Sequence, residues 1–239
     1  AMARTTLWIK YLVAGLAWWG LYAYLDGTHH GSYGLSIFAA YNAICLIGLS
    51  LCMAVQAPAT LLGKSSTGVV PWWSYVVFGP FHFAATISRN VAFQMGHDLE
   101  ATHIVGNFYV GGIESVPPTS KGWAAVLDLT NEFSEPSSAK NYLCVPTWDG
   151  TPPPLSSFDR ATKFLVDGAR RGPVLSHCAY GKGRSVTMLC ATLVAAGVCD
   201  TWEEAYEACR AKRTVKVNPA MQELLAEWQS NHKGGRKTK

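Results

Sequence analysis

The stretch that decides the fold is SHCAYGKGRS at residues 176–185, which overlaps the apolar run PVLSH at residues 173–177. It leads into VTMLCATLVAAG, residues 186–197, which is apolar on nearly every side. A short apolar run favours a buried strand, and a segment that is apolar all round favours a buried helix. The glycine-rich residues are therefore predicted to form the loop between a buried strand and a buried helix.

This loop has the residue types of an anion-binding site. Backbone N–H groups at the start of a helix point towards one spot, where the helix dipole adds partial positive charge. Gly181 and Gly183 permit the positive-φ turns of an anion-binding nest, and Arg184 offers a planar guanidinium that can bind a phosphate through two donors. Cys178 opens the loop, where the same field stabilises a thiolate. The predicted phosphate-binding residues are Ala179, Tyr180, Gly181, Lys182, Gly183 and Arg184.

Two neighbours of Cys178 are candidates for supporting roles. Ser185 can donate a hydrogen bond to the thiolate, which would help it depart in a second chemical step. His177 either orients the loop from beneath or is a core histidine satisfied by backbone groups, and the residue pattern leaves both readings open. A thiolate beside a phosphate cradle is a nucleophile for phosphorus, and this chemistry needs no metal ion and no cofactor.

The second half of the chain alternates between predicted strands and predicted helices. The run that follows Ser156 has helical spacing, and Ser156 and Asp159 are predicted to cap it. Two further helices are predicted to begin near Thr201 and at Pro219. This alternation predicts an α/β fold with a mainly parallel sheet flanked by helices. The predicted strands are residues 123–129, 141–145 and 173–177.

The first third of the chain has the composition of a membrane segment. Residues 1–88 contain four charged residues, whereas the chain as a whole contains 20 Lys and Arg and 16 Asp and Glu. Residues 8–25 and 35–56 are each long and apolar enough to cross a bilayer, for which about 20 residues are needed. They predict an α-helical membrane hairpin. A buried hairpin of a soluble protein is the alternative, but so few charges would leave it no polar face.

A third uncharged stretch, residues 65–88, decides on which side of a membrane the second domain lies. Because it contains Pro71 and Pro80, it is expected to lie at the interface or to re-enter the bilayer, and a third full span stays open as the alternative. Arg4, Lys10 and Lys64 flank the outer ends of the hairpin, whose connecting loop has no Lys or Arg, and the positive-inside rule places those ends on the cytosol-like side. Two spans leave the second domain on that side, whereas three carry it across.

The loop also has a familiar spacing. His177, Cys178, Arg184 and Ser185, with five residues between the cysteine and the arginine, resemble the HC-x5-R-S/T motif of the cysteine-dependent phosphatases, and of the dual-specificity group in particular. VPTWD at residues 145–149 resembles the loop that holds the general acid of this family. An upstream acid of this kind is absent from the rhodanese-like domains, which share a cysteine loop.

The resemblance covers roughly residues 102–230, and residues 104–112 resemble the opening strand of the family. It implies the cysteine-phosphatase fold behind the membrane hairpin. The predicted organisation is a membrane region at residues 1–94 with two or three spans, a catalytic domain at residues 95–231 and a basic tail at residues 232–239.

The resemblance also implies roles for individual residues. Cys178 would attack phosphorus and form a phosphocysteine, while Arg184 and the loop amides hold the equatorial oxygens. Asp149 would protonate the leaving oxygen and then assist the attack of water. Asp159 is the alternative acid, although its place in the first turn of a predicted helix favours a capping role.

The substrate expected is a phosphate monoester of a lipid, such as phosphatidylglycerophosphate or a phosphoinositide, because the hairpin holds the site near headgroups and Lys182 adds a cation to the loop. Ala179 departs from the lipid-directed pattern, in which a lysine is usual. A membrane-tethered protein tyrosine or serine/threonine phosphatase is the first alternative. A structural subunit of a membrane complex that retains the fold, with partners in that complex, is the second.

The net charge and the cysteine content limit the partners and the cellular surroundings that can be expected. A net charge of +4 is too small to indicate a nucleic-acid partner, so the expected partners are the substrate and the bilayer. The seven cysteines lack the spacing of a disulfide framework, and a thiolate nucleophile needs reducing surroundings. The catalytic domain is therefore expected on the cytosol, matrix or stroma face, with the identity of the membrane left open.

Overall fold

The structure, a computed structural model, describes residues 7–28, 32–95, 100–116, 122–134 and 141–236. Within these residues, five strands form one sheet in the order β1-β2-β5-β3-β4. The strands are β1 (Thr102–Val105), β2 (Phe108–Gly111), β3 (Ala125–Asp128), β4 (Tyr142–Cys144) and β5 (Val174–His177). The helices are α1 (Leu7–Thr28), α2 (Tyr33–Ala54), α3 (Trp72–Val77), α4 (Gly79–Gln94), α5 (Phe158–Ala169), α6 (Arg184–Ala195), α7 (Trp202–Arg210) and α8 (Pro219–Arg236).

The sheet is mainly parallel, as the alternation of strands and helices predicts. Strand β5 pairs in parallel with β2 on one side and with β3 on the other, and β3 pairs in parallel with β4. Strand β1 is the exception, because it pairs with β2 in the antiparallel direction. The α/β fold with helices flanking the sheet is confirmed.

The opening strand differs from its prediction. Residues 104–112 were expected to form one strand, but the chain turns at Gly106, where φ is +53°. Glycine adopts this left-handed conformation without steric cost, so the run folds back on itself as the β1–β2 hairpin. The apolar residues directly before and after the turn, Ile104–Val105 and Phe108–Val110, read as one run, although Gly106 and Asn107 between them are residues typical of a hairpin turn.

Helices α5 and α6 pack on the sheet and form the core. Helix α6 is buried on all sides, as predicted, with Val186, Met188 and Leu189 fully inside. Helix α5 approaches the sheet at Gly168, where a Cβ atom would lie 2.6 Å from the Cβ of Ala125. A glycine is therefore required for this packing.

One of the predicted helix starts is wrong and two are confirmed. Helix α5 begins at Phe158, so Ser156, which lies in the preceding 3₁₀ turn, is not its cap. The side chain of Asp159 accepts a hydrogen bond from the indole of Trp228 at 3.1 Å. Helix α7 follows Thr201, whose hydroxyl accepts from the backbone N–H of Glu204 at 3.2 Å. Helix α8 begins with Pro219 and extends through Arg236, so it continues into the predicted basic tail.

Helices α1 and α2 form an antiparallel pair that packs closely. The Ser50 hydroxyl of α2 donates to the Trp8 carbonyl of α1 at 2.8 Å, near one end of the pair. In the middle, a Cβ atom at Gly15 would lie 2.7 Å from the Ile47 side chain. The predicted hairpin of helices is therefore present as a helical pair.

Among the described helices, α2 is the one that is long and apolar enough to cross a membrane by length and composition. Helix α1 is also 22 residues long but is less apolar, since it is rich in Trp, Tyr and Gly. The crossing of a membrane by these two helices stays a prediction.

The third uncharged stretch forms two short helices instead of one long one. Helices α3 and α4 contain 6 and 16 residues, which is below the length of about 20 that a perpendicular span needs. Pro71 lies at the N-cap of α3 and Pro80 in the first turn of α4, where a missing N–H costs no hydrogen bond. The prolines therefore begin these helices and do not interrupt a span.

Lys64 is not an exposed charge at the end of the hairpin, which corrects the expectation from its position in the sequence. Its ammonium group is buried 2.5 Å from the Asp128 carboxylate at the end of β3, and both side chains are fully inaccessible. It also donates to the hydroxyl and the carbonyl of Thr130. Asp128 in turn accepts from the Tyr142 hydroxyl. This ion pair connects the N-terminal region to the end of β3, next to the central strand β5.

We expect Lys64→Met to destabilise the protein strongly, because it leaves the Asp128 carboxylate buried without its cation. The loss should be about 3–5 kcal/mol, or about 6–20 °C in the midpoint of thermal unfolding for a chain of this size. The measurement is thermal unfolding of the full chain in detergent. The matched control is Lys163→Met, which removes a lysine paired with Asp167 on the exposed face of α5 and should leave the midpoint close to wild type.

The deficit of Lys64→Met should depend on pH with a defined sign. Burial alone would raise the pKa of Asp128, but the charge of Lys64 and the hydrogen bonds from Lys64 and Tyr142 hold it below its ordinary value. The stability that Asp128 contributes is therefore present above its unfolded pKa of about 3.9 and is lost as the pH falls below it. The difference between the midpoints of thermal unfolding of the variant and the wild type should therefore become smaller in acid. An equal midpoint for Lys64→Met and wild type at neutral pH would contradict the buried pair.

Candidate active site

The predicted loop joins β5 to α6 and places Cys178 beside Ser185. The thiol lies 3.3 Å from the Ser185 hydroxyl, and both side chains are buried. Gly181 has φ of +66° and passes so close to Gly111 that a Cβ atom would lie 2.5 Å from its carbonyl carbon. Gly183, for which a positive φ was expected, has φ of −120°. The nest therefore depends on Gly181 for its left-handed turn.

The rest of the loop is braced from two sides by backbone contacts. Tyr180 forms an isolated antiparallel bridge with Gly112, and the Ala179 carbonyl accepts from the N–H of Ile113 at 3.2 Å. On the other side the Lys182 carbonyl accepts from the N–H of Lys216 at 2.7 Å. These contacts hold the loop at the carboxyl end of β5.

Arg213 also braces the loop, a role that the sequence did not reveal. Its guanidinium is buried and donates to the carbonyls of Gly181 at 3.0 Å and Tyr180 at 3.2 Å. The same group donates to the Glu100 carbonyl at 2.8 Å. The carbonyl oxygens of Gly181 and Tyr180 therefore point towards Arg213. The guanidinium of Arg213, which lies outside the loop, thus stabilises the backbone conformation of the loop.

Arg184 is the most heavily engaged side chain of the site, and it is 1% exposed. Its two terminal nitrogens contact both carboxylate oxygens of Glu132, at 2.6 and 3.0 Å. They also contact the carbonyls of Thr147 at 2.8 Å and Leu129 at 3.2 Å, and one lies 3.1 Å from the Asp149 carboxylate. The Arg184 Nε is buried and has no hydrogen-bond partner among the described residues. One donor of the guanidinium is therefore available to an anion.

Glu132 was missed by the sequence reasoning, although it orients Arg184. Burial would raise the pKa of Glu132, but the charge of Arg184 holds it below its ordinary value, so the carboxylate is ionised. The two-oxygen contact fixes the plane of the guanidinium, as paired arginine–carboxylate geometry does in general. The available signal was an acidic residue in the polar loop directly behind the predicted strand at residues 123–129.

Asp149 and Trp148 lie next to each other in the loop behind β4, in contrasting surroundings. The Asp149 side chain is 49% exposed and faces Arg184. The Trp148 side chain is 5% exposed, and its indole N–H donates to the Ala57 carbonyl at 2.8 Å. Its ring meets the edge of Phe81 with centroids 6.0 Å apart. The loop that carries Asp149 is thus anchored by its neighbour in the N-terminal region.

His177 lies beneath the loop and is fully buried. Its Nε2 atom lies 3.7 Å from the Asp128 carboxylate, beyond hydrogen-bond length, and burial lowers the pKa of His177. The histidine is therefore neutral at physiological pH. Its position under Cys178 is compatible with both readings of the sequence, the orienting residue and the core histidine.

Each part of the site is tied to the N-terminal region. His82 of α4 donates through Nδ1 to the Glu132 carbonyl at 3.0 Å and accepts at Nε2 from the Ser74 hydroxyl, since a carbonyl can only accept. Glu132 in turn holds Arg184. Among the contacts of the described residues that connect the region to the site are Lys64–Asp128, His82–Glu132 and Ala57–Trp148. The predicted boundary near residue 94 therefore separates parts that share several buried contacts.

Comparisons with known proteins agree with this fold. No protein-family model matches the chain. The dual specificity protein phosphatase OPG106 of vaccinia virus is 34% identical to it over 99 residues, which is 39% of this chain and 58% of the viral protein. The corresponding protein of monkeypox virus is 33% identical over the same length. The chain thus spans less than two thirds of the curated relatives that it matches.

Solved structures of phosphatases have the same fold. A mouse putative dual specificity phosphatase complexed with zinc tungstate has a TM-score of 0.53 at 15% identity, covering 58% of this chain and 91% of the mouse chain. Human DUSP28 has a TM-score of 0.51 at 15% identity, covering 56% of this chain and 95% of its own. From the sheet order, the loop and these similarities, the sheet and the helices that flank it have the fold of the dual-specificity protein phosphatases, and the N-terminal helices are an addition to that fold.

Proposed function

We propose that this protein is a membrane-anchored, cysteine-dependent phosphatase that hydrolyses phosphate monoesters through a phosphocysteine. The observation that carries the proposal is the convergence of Cys178, Ser185, Arg184 and Asp149 on one loop, with Sγ 3.3 Å from the serine hydroxyl and the guanidinium 3.1 Å from the aspartate. These are the groups that phosphoryl transfer to a thiolate requires. A nucleophile, a cation for the equatorial oxygens and a proton donor are all present.

The first step forms the phosphocysteine. The Cys178 thiolate attacks phosphorus in line with the ester oxygen, the new S–P bond forms, and the P–O bond to the leaving group breaks. The Asp149 carboxylic acid transfers its proton to the leaving oxygen, which departs as an alcohol. Arg184 and the loop N–H groups bind the equatorial oxygens, on which the charge of the transition state is spread.

The second step releases inorganic phosphate. The Asp149 carboxylate takes a proton from water, whose oxygen attacks phosphorus as the S–P bond breaks. Cys178 leaves as a thiolate, and a hydrogen bond from the Ser185 hydroxyl stabilises that negative charge. Both steps use the same groups in opposite protonation states, so no further acid or base is required.

The anchoring part of the proposal is supported by the surface of the N-terminal region. Large apolar side chains are exposed around the helical pair, and more are exposed on α3 and α4. Contiguous apolar surface of this extent indicates contact with a membrane or with another protein. Together with the apolar length of α2, it favours a bilayer around α1 and α2 and an interfacial position for α3 and α4. The exposed apolar side chains of these four helices include Val13, Leu16, Ile44, Leu51, Trp72, Val76, Phe83 and Ile87.

We assign the catalytic domain to the reducing face of the membrane. All seven cysteines are free thiols, and the proposed reaction requires the thiolate of Cys178. Helices α3 and α4 are too short to form a third span, and two spans leave the catalytic domain on the same side of the membrane as the ends of the hairpin. Protease added to the opposite side of sealed vesicles should leave residues 100–236 intact, and their digestion there would overturn the assignment.

For the substrate we propose a lipid phosphate monoester, of the phosphatidylglycerophosphate or phosphoinositide type. The supporting observation is that helices α1, α2 and α4 border the same cleft as the catalytic loop, so the site lies beside the surface assigned to the bilayer. A phosphoprotein is the competing substrate, and a structural role without catalysis is the second alternative. Phosphate release from matched lipid and phosphopeptide substrates distinguishes all three.

Cys178→Ser should abolish turnover, because a serine hydroxyl in the same place is a far weaker nucleophile than a thiolate. We expect kcat on para-nitrophenyl phosphate to fall by at least about 10³-fold. Binding of orthovanadate should survive, since Arg184 and the loop N–H groups remain. The matched control is Cys199→Ser, a partly exposed thiol outside the loop, which should retain wild-type turnover. Turnover of Cys178→Ser near the wild-type level would rule out the cysteine mechanism.

Trp148→Phe should weaken general acid catalysis selectively, because it removes the indole donor to Ala57 while keeping an aromatic ring. A lost hydrogen bond of about 0.5–1.5 kcal/mol corresponds to a decrease of about 2- to 12-fold in kcat. The decrease should appear with phenyl phosphate, whose leaving group needs a proton, and be small with an ester that has a very good leaving group.

The control for this variant is Trp123→Phe, which likewise removes an indole donor to a backbone carbonyl, that of Ser115 at 2.9 Å, away from the acid loop. Its kcat on both esters should match the wild type. Equal decreases on the two esters for Trp148→Phe would show that Trp148 supports folding of the site and does not position Asp149.

A further inference from the structure

One cavity of about 370 Å³ is lined both by the catalytic loop and by the N-terminal helices. Its volume is in the range of small-molecule sites, about 300–1,000 Å³. Asp149, Ala179 and Tyr180 line one part of it, and residues of α1, α2 and α4 line the rest. A substrate whose phosphate lies on the loop would therefore have the remainder of its structure between these helices.

The part of the cavity formed by the helices is mainly apolar. Ala14 of α1, Leu46 and Met53 of α2, and Phe81, Ala84 and Ala85 of α4 line it, and the hydroxyl-bearing Tyr11 and Ser88 lie among them. The apolar side chains cannot satisfy the peptide N–H and C=O groups of a phosphopeptide, whose burial without hydrogen bonds is costly. They favour a hydrocarbon chain, which gains free energy for each methylene that leaves water.

The charge of the cavity changes from one part to the other. Lys10, exposed near the start of α1, lines it together with Glu132 and Asp149. Arg184 lies behind these two carboxylates, with its Nε lacking a partner among the described residues. Lys10 is thus the cation of the lining itself, Arg184 adds positive charge from behind it, and the wall away from the loop is mainly apolar. A charged end beside the loop and an apolar far wall match the two ends of an amphiphile.

We infer that the cleft between the catalytic loop and helices α1, α2 and α4 binds the hydrocarbon chain of its phosphate monoester substrate. The N-terminal helices are then a wall of the substrate site as well as an anchor. The inference rests on the proposed phosphatase function for the placement of the phosphate. It adds that substrates are selected by the length of the apolar chain that they carry.

The test is a series of alkyl phosphates, from ethyl to decyl, hydrolysed by the full chain in one detergent. Burial of a methylene contributes about 0.8 kcal/mol, so kcat/KM should rise by up to about fourfold per methylene until the chain fills the cleft. Ala14→Trp places a large ring in the cleft. It should lower the ratio of kcat/KM for decyl phosphate to that for ethyl phosphate by at least about tenfold, which corresponds to the exclusion of two methylenes.

The matched control is Ala17→Trp, one turn further along α1 at an exposed position that does not line the cleft. Both variants present the same residue to the same detergent, so the effects of micelles on the substrate cancel between them. The ratio of kcat/KM for decyl phosphate to that for ethyl phosphate should be the same in Ala17→Trp as in the wild type. A wild-type ratio near one, or equal ratios for the two variants, would overturn the inference while leaving phosphatase activity established.

A binding measurement separates the cleft from the chemistry. Decylphosphonate cannot be hydrolysed, and it should bind the full chain more tightly than ethylphosphonate by calorimetry, with the difference reduced in Ala14→Trp only. This result without turnover of any ester would support the cleft and refute the proposed catalysis. Equal affinity for the two phosphonates would overturn the cleft, and a phosphopeptide that outcompetes decylphosphonate would assign the cavity to a protein substrate.

Discussion

The buried ion pair between Lys64 and Asp128 is the constraint on which the arrangement depends. An ammonium group without access to water is tolerated only when its charge is compensated, and here Asp128 and Thr130 surround it. Asp128 ends strand β3 next to His177 of the central strand β5, directly beneath the loop that carries Cys178. A segment that the composition assigns to the membrane region is thereby fixed at the base of the catalytic loop.

The same relation recurs at each residue of the proposed catalytic set. His82 binds the backbone of Glu132, whose side chain orients Arg184, and Ala57 binds Trp148 beside Asp149. The residues proposed as nucleophile, cation and acid are thus all supported by contacts with residues 57–82. In the proposed function, this coupling has a simple consequence: the anchor determines the geometry of catalysis and the shape of the substrate cleft, in addition to the location of the enzyme.

The parts of the fold that could be predicted are those encoded in consecutive residues. The strand, loop and helix around Cys178 follow from an apolar run, two glycines and a second apolar run, and the structure forms them at those positions. Glu132 and Lys64 could not be found in this way, because their partners lie 52 and 64 positions away along the chain. The turn at Gly106 was missed for another reason, since the apolar residues directly before and after Gly106 and Asn107 read as one strand.

The most direct test of this account is to cut the chain between its two parts. With a protease site introduced within residues 96–99, the full-length protein is cleaved in detergent and passed over a size-exclusion column. The account predicts that the two fragments elute together and keep their phosphatase activity, and that Lys64→Met makes them separate. Fragments that separate spontaneously, with the C-terminal one folded and fully active alone, would contradict the claim that the N-terminal region completes the site.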